Sequence, residues 1–312
     1  MREMGIQDIR KILFFADGAG DEKEALRRTV TLAEDLGANL KVMDVVAEVS
    51  TNDTNPAVVE AITSLQKTLI DDRLGSLKAL IEACDIETKP ELGVVAGRDD
   101  VEVIKTVSAE AFDLVVKAPN KPSLISRAFF GEADLKLLRK CPSPVWIMKP
   151  AGADGLNKIV VAVDPLDVEH RDLNRNLVDV ARYLSRVEQS ELIVVGCWSL
   201  PFDVSLEARL DQNRLEMIRD HIIKQCHDNL SELVSHMDEG ACRVELLNGA
   251  AEDLIPEYVA KNQIDLVVMG TLARVGLPGF IIGNTAEKII HTIESSVLAL
   301  KPKGFTCPVT SL

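Results

Sequence analysis

The chain has 312 residues and a formal net charge of −14, and apolar residues make up 46% of it. This length suits two domains of ordinary size, and this apolar fraction excludes an intrinsically disordered chain. The acidic balance and the 4% of aromatic residues argue against a nucleic-acid partner and against an anionic membrane surface. The sequence shows no signal-peptide core and no apolar run that spans a bilayer, so we predict a cytoplasmic protein.

Apolar, β-branched runs alternate with helical patterns along the chain. In the first half, strands are predicted near Lys11–Ala16, Leu40–Val45, Thr88–Val94, Asp113–Val116 and Val145–Met148. In the second half, strands are predicted at Lys158–Val163, Glu191–Cys197, Cys242–Leu247, Asp265–Met269 and Ser296–Leu300. Helices are predicted between the later strands near Leu173–Val187, Leu206–Met237, Glu252–Lys261 and Thr285–Glu294. Unbroken apolar strands that alternate with helices indicate a parallel sheet with both faces covered.

The two halves carry the same motifs in the same order. Three pairs of segments match: Lys11–Asp17 with Lys158–Asp164, Asp113–Ala118 with Asp265–Gly270, and Val145–Pro150 with Val297–Pro302. A period as long as a whole domain indicates a tandem duplication rather than a solenoid. We predict a first domain at residues 1–150, a linker at residues 151–155 and a second domain at residues 156–312. Each is predicted to be a Rossmann- or flavodoxin-like α/β domain with a five-stranded parallel sheet.

A ligand site is expected beyond the first and fourth strands of the second half, because open parallel sheets bind ligands at the switch point in strand order. Gly270 and Gly283 are expected to allow a positive φ and a close backbone approach. Asn284 is expected to cap the following helix, with Glu287 three residues later as in a capping box. The N–H groups of that turn could bind phosphate, and Arg274 could close over it, although an ordinary helix start has the same pattern. Neither a Walker P-loop nor a GxGxxG motif occurs, which argues against a P-loop NTPase and a nicotinamide dehydrogenase.

This loop resembles the ATP-binding signature of the universal stress protein family, Gly-x2-Gly-x9-Gly-(Ser/Thr). Here it reads Gly270-x2-Ala273-x9-Gly283-Asn284, so the spacing is kept while one glycine and the final hydroxyl residue are replaced. Further segments are similar to the E-type tandem members of this family in proteobacteria: Leu137–Trp146, Gly283–Glu287 and Lys301–Pro308. The resemblance covers nearly the whole chain. It implies that the two domains pack as a pseudo-dimer through their last strands, Val145–Met148 and Val297–Leu300.

The resemblance also implies a stress-response protein that binds ATP, with or without Mg²⁺, or a related nucleotide in its second domain. The residues expected to contact the nucleotide are Ala162, Val163, Asp164, Cys197, Met269, Gly270, Ala273, Arg274, Gly283, Asn284 and Thr285. No catalytic base stands out, so at most a slow ATPase is expected. A homodimer and an unidentified protein partner stay open.

The first half departs further from this signature. Its matching stretch, Ala118–Glu132, keeps only Gly131 of the three glycines. Glu132 falls where a phosphate would meet the helix start and would repel it, and Pro119 and Pro122 remove N–H donors. We predict that the first domain binds no ATP and is a pseudo-domain, or binds something else.

Two other functions stay open. An interaction scaffold that binds no nucleotide is favoured by the replacements at Ala273 and Asn284. A carrier of an apolar or acyl ligand in the first-half cleft is suggested by four phenylalanines, although core packing explains them as well: Phe14, Phe15, Phe129 and Phe130.

Other residues that attract attention have ordinary explanations. Asp17 and Asp164 recur after the two first strands, which a shared turn explains as well as a ligand contact does. The histidines at positions 170, 221, 227, 236 and 291 lack the spacing of zinc ligands, so no metal site is expected. Six cysteines form no CxxC pair and are expected to be thiols; Cys307 is either a redox-sensitive thiol or part of a packed or disordered tail.

Overall fold

A computed structural model of the protein describes residues 8–18, 20–86, 89–120, 130–150, 155–200, 211–271, 283–307 and 309. These residues divide into two units. The first unit contains the described residues 8–150 together with 305–307 and 309. The second unit contains residues 155–271 and 283–304. The linker residues 151–154 lie outside the described part of the chain.

The first unit is a parallel sheet with the strand order β3-β2-β1-β4-β5. Its strands are β1 Lys11–Phe15, β2 Asn39–Val46, β3 Glu91–Ala96, β4 Leu114–Lys117 and β5 Val145–Ile147. Its helices are α1 Glu22–Leu36, α2 Pro56–Cys84, α3 Asp99–Glu110 and α4 Glu132–Lys140. Helix α1 ends at Gly37, whose left-handed φ of 61° glycine adopts without strain. The unbroken apolar sequence of β1 follows from its place in the middle of the sheet, where Leu13 and Phe14 are fully buried.

The second unit repeats this arrangement with the strand order β8-β7-β6-β9-β10. Its strands are β6 Lys158–Val163, β7 Glu191–Trp198, β8 Arg243–Asn248, β9 Leu266–Gly270 and β10 Ser296–Leu300. Its helices are α5 Arg171–Glu188, α6 Gln212–Val234, α7 Ala251–Asn262 and α8 Asn284–Thr292. Helix α5 buries an apolar stripe that includes Leu173, Leu177, Ala181 and Leu184, and this stripe covers β6 and β9.

The predicted parallel α/β architecture is confirmed in both units, and the structure decides between the two fold types considered. The order 3-2-1-4-5 is that of the first five strands of the Rossmann sheet, whereas the flavodoxin order is 2-1-3-4-5. Most differences lie at element ends. Helix α6 ends at Val234 rather than at Met237, and predicted helical residues 206–210 lie outside the described part. Strand β4 runs on to Lys117, one residue beyond the predicted end at Val116.

Candidate functional site

Two strands of the second unit, β6 and β9, end side by side where the strand order reverses. Strands β6 and β9 pair with each other. On their outer sides, β6 pairs with β7 and β9 pairs with β10. The register sets Ala162 beside Met269, and Val163 beside Gly196, the residue before Cys197. The residues predicted at the ends of the first, second and fourth strands of this half therefore meet at one edge of the sheet, at its switch point.

The two described glycines of the predicted loop have a different role from the one expected. Gly270 is the last residue of β9, pairs with Leu300 and does not have a positive φ. A Cβ at this position would lie 2.9 Å from Cδ2 of Leu173, so glycine lets helix α5 close over the strand end. Gly283 has a φ of −55°. The expected positive φ is thus wrong at both positions, because one is in extended strand and the other has ordinary backbone just before a helix.

Helix α8 is capped by Gly283 and not by Asn284. The carbonyl of Gly283 accepts a hydrogen bond from the N–H of Glu287 at 3.0 Å, which makes Asn284 the first helical residue. The prediction of an Asn284 side-chain cap and of a capping box is therefore wrong, since glycine has no side chain to accept a hydrogen bond. Within the described residues, nothing accepts from the N–H groups of Asn284, Thr285 and Ala286. Three donors at a helix start form an arrangement that suits an anion.

A carboxylate that sequence reasoning missed lies beside this turn. Glu252, at the start of α7, accepts a hydrogen bond from Oγ1 of Thr285 at 3.4 Å and pairs with Nζ of Lys288 at 3.2 Å. The hydrogen bond from its own backbone N–H, followed by the one from Lys288, lowers the pKa of Glu252. A negative charge therefore stands close to the free N–H groups at neutral pH.

Cys197 is held as a neutral thiol at the end of β7. Burial raises the pKa of the Cys197 thiol to about 11, and the negative charges of Asp164 and Glu252 add to this. Asp164 itself is exposed and stabilises its own turn, because its Oδ1 accepts from the N–H of Leu166 at 2.9 Å. Ala273 and Arg274 lie outside the described residues.

A buried lysine occupies the equivalent switch point of the first unit. Lys117 ends β4, is fully buried, and stands where the second unit has Met269. Its Nζ lies 2.9 Å from Oδ2 of Asp17 and 2.8 Å from Oδ1 of Asp134, and it donates to Oδ1 of Asn120. The two aspartates after the first strands thus differ in role, because Asp17 forms an ion pair and Asp164 stabilises a turn.

Asp134 places an internal anion at the start of helix α4. Its Oδ2 accepts from the N–H of Gly131 at 2.8 Å and, more weakly, from the N–H of Asn120 at 3.4 Å. Gly131 is the N-cap of α4 as Gly283 is of α8, so the position of Asp134 corresponds to Ala286. The first unit therefore supplies its own carboxylate to the N–H of Gly131, whereas the N–H of the matching Gly283 has no acceptor within the described residues.

Glu132, expected from the sequence to repel a phosphate at this helix start, is not the carboxylate that accepts from Gly131. Its side chain is 82% exposed and pairs with Nζ of Lys136 at 2.7 Å, one turn along the outer face of the helix. Sequence reasoning missed Asp134 and Lys117. The available signal was the alignment of the two halves, which sets a charged Lys117 against Met269 at the end of an otherwise apolar strand.

A second ion pair lies at the end of β2. The Nε of Arg73, on helix α2, donates to Oδ2 of Asp44, and its Nη2 donates to the carbonyl of Ala16 at 3.2 Å. Burial raises the pKa of Asp44, and the Arg73 guanidinium opposes this shift. The second unit has Gly196 at the strand position of Asp44.

These charges bear on the hypothesis that the first-unit cleft carries an apolar or acyl ligand. Phe14, Phe15 and Phe130 are buried in the core, and Phe129 lies outside the described residues. The ammonium of Lys117 lies 5.9 Å from the centre of the Phe15 ring. The described part of the cleft is therefore ion-paired rather than apolar, which disfavours the hypothesis of an acyl-ligand carrier.

The histidines contact neighbouring carboxylates or lie in solvent. Nδ1 of His170 lies 2.7 Å from Asp167, and Nε2 of His236 lies 2.9 Å from Asp179. Among the described residues, no group of three or more His, Cys, Asp or Glu side chains could hold a metal ion. No helix in the described part of the chain combines the length and the apolar character that a membrane span requires.

The fold and the switch-point residues define a tandem of two Rossmann-type α/β domains, of which the second keeps an open helix start and the first closes it with its own side chains. The profile of the Universal stress protein family matches residues 8–149 and again residues 155–301. The chain therefore belongs to the universal stress protein family.

Relatives along nearly the full length support this assignment. The chain is 28% identical to Universal stress protein E of Photorhabdus laumondii, over 96% of this chain and 97% of that protein. It is 29% identical to Universal stress protein E of Salmonella typhi, over 96% of each chain. A solved structure of a putative universal stress protein from Pseudomonas aeruginosa is 26% identical, covers 95% of each chain and has a TM-score of 0.69. These similarities therefore extend over both units and over nearly the whole length of the relatives.

Proposed function

We propose that the second unit binds ATP or a related adenine nucleotide, and that the protein acts in the cytoplasmic stress response through regulation or protection. One observation carries the proposal: within the described residues no acceptor faces the N–H groups of Gly283 and of the first turn of α8, whereas in the first unit Asp134 stands at the matching helix start and accepts from the N–H of Gly131, the counterpart of Gly283. A helix start of this kind favours an anion from outside the protein, such as a nucleotide phosphate.

The side chains at the strand ends are compatible with the rest of the ligand. Ala162 stands where the first unit has the fully buried Phe15, and Met269 stands where it has Lys117. These replacements leave a smaller, uncharged lining in which the adenosine would lie against Ala162, Val163 and Cys197. Because the Cys197 thiol stays neutral at physiological pH, it adds no charge that would repel a phosphate.

The negative charge of Glu252 determines which form of the nucleotide we expect. Its Oε2 lies 3.4 Å from Thr285, next to the proposed phosphate position. A carboxylate at that distance would repel free ATP, and Mg²⁺ on the phosphates would reduce the repulsion. We therefore propose the Mg²⁺ complex as the bound form, with Arg274 closing over it and Ala273 lining the loop.

We further propose one nucleotide per chain. The first unit has its own carboxylate, Asp134, at the helix start and its own cation, Lys117, in the cleft. A phosphate there would have to displace a buried ion pair, which costs several kcal/mol.

Calorimetric titration of the full-length protein with MgATP tests the proposal. We expect one site in the wild type and at least a tenfold loss of affinity in Ala286→Asp, which creates the internal carboxylate that the first unit has. Ala286→Asn is the matched control, because it has nearly the same shape without the charge and should change the affinity much less. Both variants should fold, since polar side chains that accept from a helix start are favourable.

Two results would contradict the proposal. Nucleotide binding that is unchanged in Ala286→Asp would locate the ligand elsewhere. No binding to a folded wild type would leave the start of α8 as an ordinary helix start, and the interaction scaffold would then be the better hypothesis.

A further inference from the structure

Residues 305–307 of the first unit bring Cys307 to the end of helix α4. The thiol of Cys307 donates to the carbonyl oxygen of Lys140, with 3.4 Å between Sγ and O. Lys140 is the last residue of α4, and its carbonyl carbon is bonded to the nitrogen of Cys141. The Cys307 thiol, 166 positions further along the sequence, therefore contacts the peptide group that links Lys140 to Cys141.

Both side chains are buried, and both thiols are reduced in this structure. Cys141 is fully buried and Cys307 is 7% exposed. All six cysteines lie in the described part of the chain and none is in a disulfide. Residues 301–307 contain no helix or strand, so the backbone around Cys307 can adjust to the Cα separation of about 4.4–6.8 Å that a disulfide requires.

We propose that Cys141 and Cys307 are a redox-sensitive pair that forms a reversible disulfide when the protein meets a peroxide. The more exposed Cys307, as its thiolate, attacks one peroxide oxygen, which gives a sulfenic acid and releases hydroxide or water. The Cys141 thiolate then attacks the Cys307 sulfur, and the hydroxyl leaves as water. In total two thiols lose two electrons and two protons, and one hydrogen peroxide is reduced to two waters. A thiol reductant reverses the reaction.

The bond would close a loop that runs from the end of α4 through the whole second unit. Closing a loop of this length restricts the unfolded chain strongly, so the oxidised protein should be more resistant to unfolding than the reduced one. This property does not depend on nucleotide binding.

Peptide mapping under non-reducing conditions tests the pair in the full-length protein. The protein is treated with hydrogen peroxide, remaining thiols are alkylated, and trypsin releases peptides 141–158 and 304–312. We expect these two peptides to be joined, with a mass two hydrogens below their sum, and a loss of two alkylatable thiols from the six. Reduction should restore all of them.

Serine variants give the controls. Cys141→Ser and Cys307→Ser should each abolish the joined peptide and the rise in melting temperature on oxidation. Cys84→Ser should retain the joined peptide and the rise in melting temperature. The Cys84 thiol contacts the carbonyl oxygen of Lys23, and no cysteine is close to Lys23 in the sequence. The proposal is overturned if Cys307 pairs with a different cysteine, if it is oxidised to sulfinic acid while Cys141 stays alkylatable, or if neither cysteine reacts.

Discussion

The ammonium of Lys117 lies 2.8 Å from a carboxylate oxygen of Asp134, and neither side chain is exposed. The other oxygen of Asp134 accepts from the N–H of Gly131 at the start of α4. One side chain therefore neutralises a buried cation and closes a helix terminus. This arrangement distinguishes the two units, because Met269 and Ala286 stand at the corresponding positions of the second.

Removing one partner of this pair should destabilise the first unit strongly. In Asp134→Ala, Lys117 keeps Asp17 but loses a buried counter-ion, and the start of α4 loses its acceptor. Breaking a buried ion pair typically costs about 3–5 kcal/mol. Urea unfolding should show a loss of about that size, and a loss below about 1 kcal/mol would contradict the role assigned to Asp134.

Removing the whole charge cluster should cost much less. A variant that combines Lys117→Met and Asp134→Ala with Asp17→Asn removes the cation and both of its counter-ions, and buried ion pairs exchanged for uncharged residues are often neutral. We expect it to be more stable than Asp134→Ala alone in the same urea measurement. Equal or lower stability would mean that these residues do not act as a unit.

Two glycines should respond in opposite directions to substitution by alanine. At Gly270 a Cβ would lie 2.9 Å from Leu173, so Gly270→Ala should lower stability by about 1 kcal/mol through crowding. At Gly75, inside α2, a Cβ would meet nothing within 4 Å, so Gly75→Ala should raise stability by about 0.5–1 kcal/mol. Thermal unfolding of the two variants checks both signs. If Gly270→Ala were as stable as the wild type, the close approach of α5 would not depend on glycine at this position.

Alkaline pH should destabilise the second unit through Cys197. Folding raises the pKa of this thiol from 9.0 to about 11, chiefly through burial. Between those values the unfolded chain has already lost the proton that the folded protein keeps, so stability falls as pH rises. We expect Cys197→Ser to lose less stability than the wild type between about pH 8 and about pH 10, measured by urea unfolding. Cys242→Ser is a useful comparison, because burial also raises its pKa, without the nearby carboxylates.

Thiolate absorbance provides an independent check of the same shift. The native wild type should gain absorbance near pH 11 that Cys197→Ser lacks. A Cys197 thiolate that forms near pH 9 would contradict the assigned environment.

Much of this protein could be predicted from its sequence. Apolar runs such as Lys158–Val163 are strands because they lie inside a parallel sheet, where both faces are buried and side-chain alternation disappears. The repeated motifs and the loop spacing indicated two related domains and the family. They also located the switch point at Ala162 and Met269, because strand order and chain direction set where the strands of such a sheet end.

The tertiary structure decided which groups meet at those ends. Gly270 proved to be a packing glycine because helix α5 passes over it, and no local pattern specifies that approach. Asp134 and Lys117 are 17 positions apart, and residues of these types usually lie on the surface. Here the sheet and α4 bring the two charges together in the buried interior. Short-range patterns set the elements, whereas long-range burial and electrostatics determined which helix start is closed and which is open.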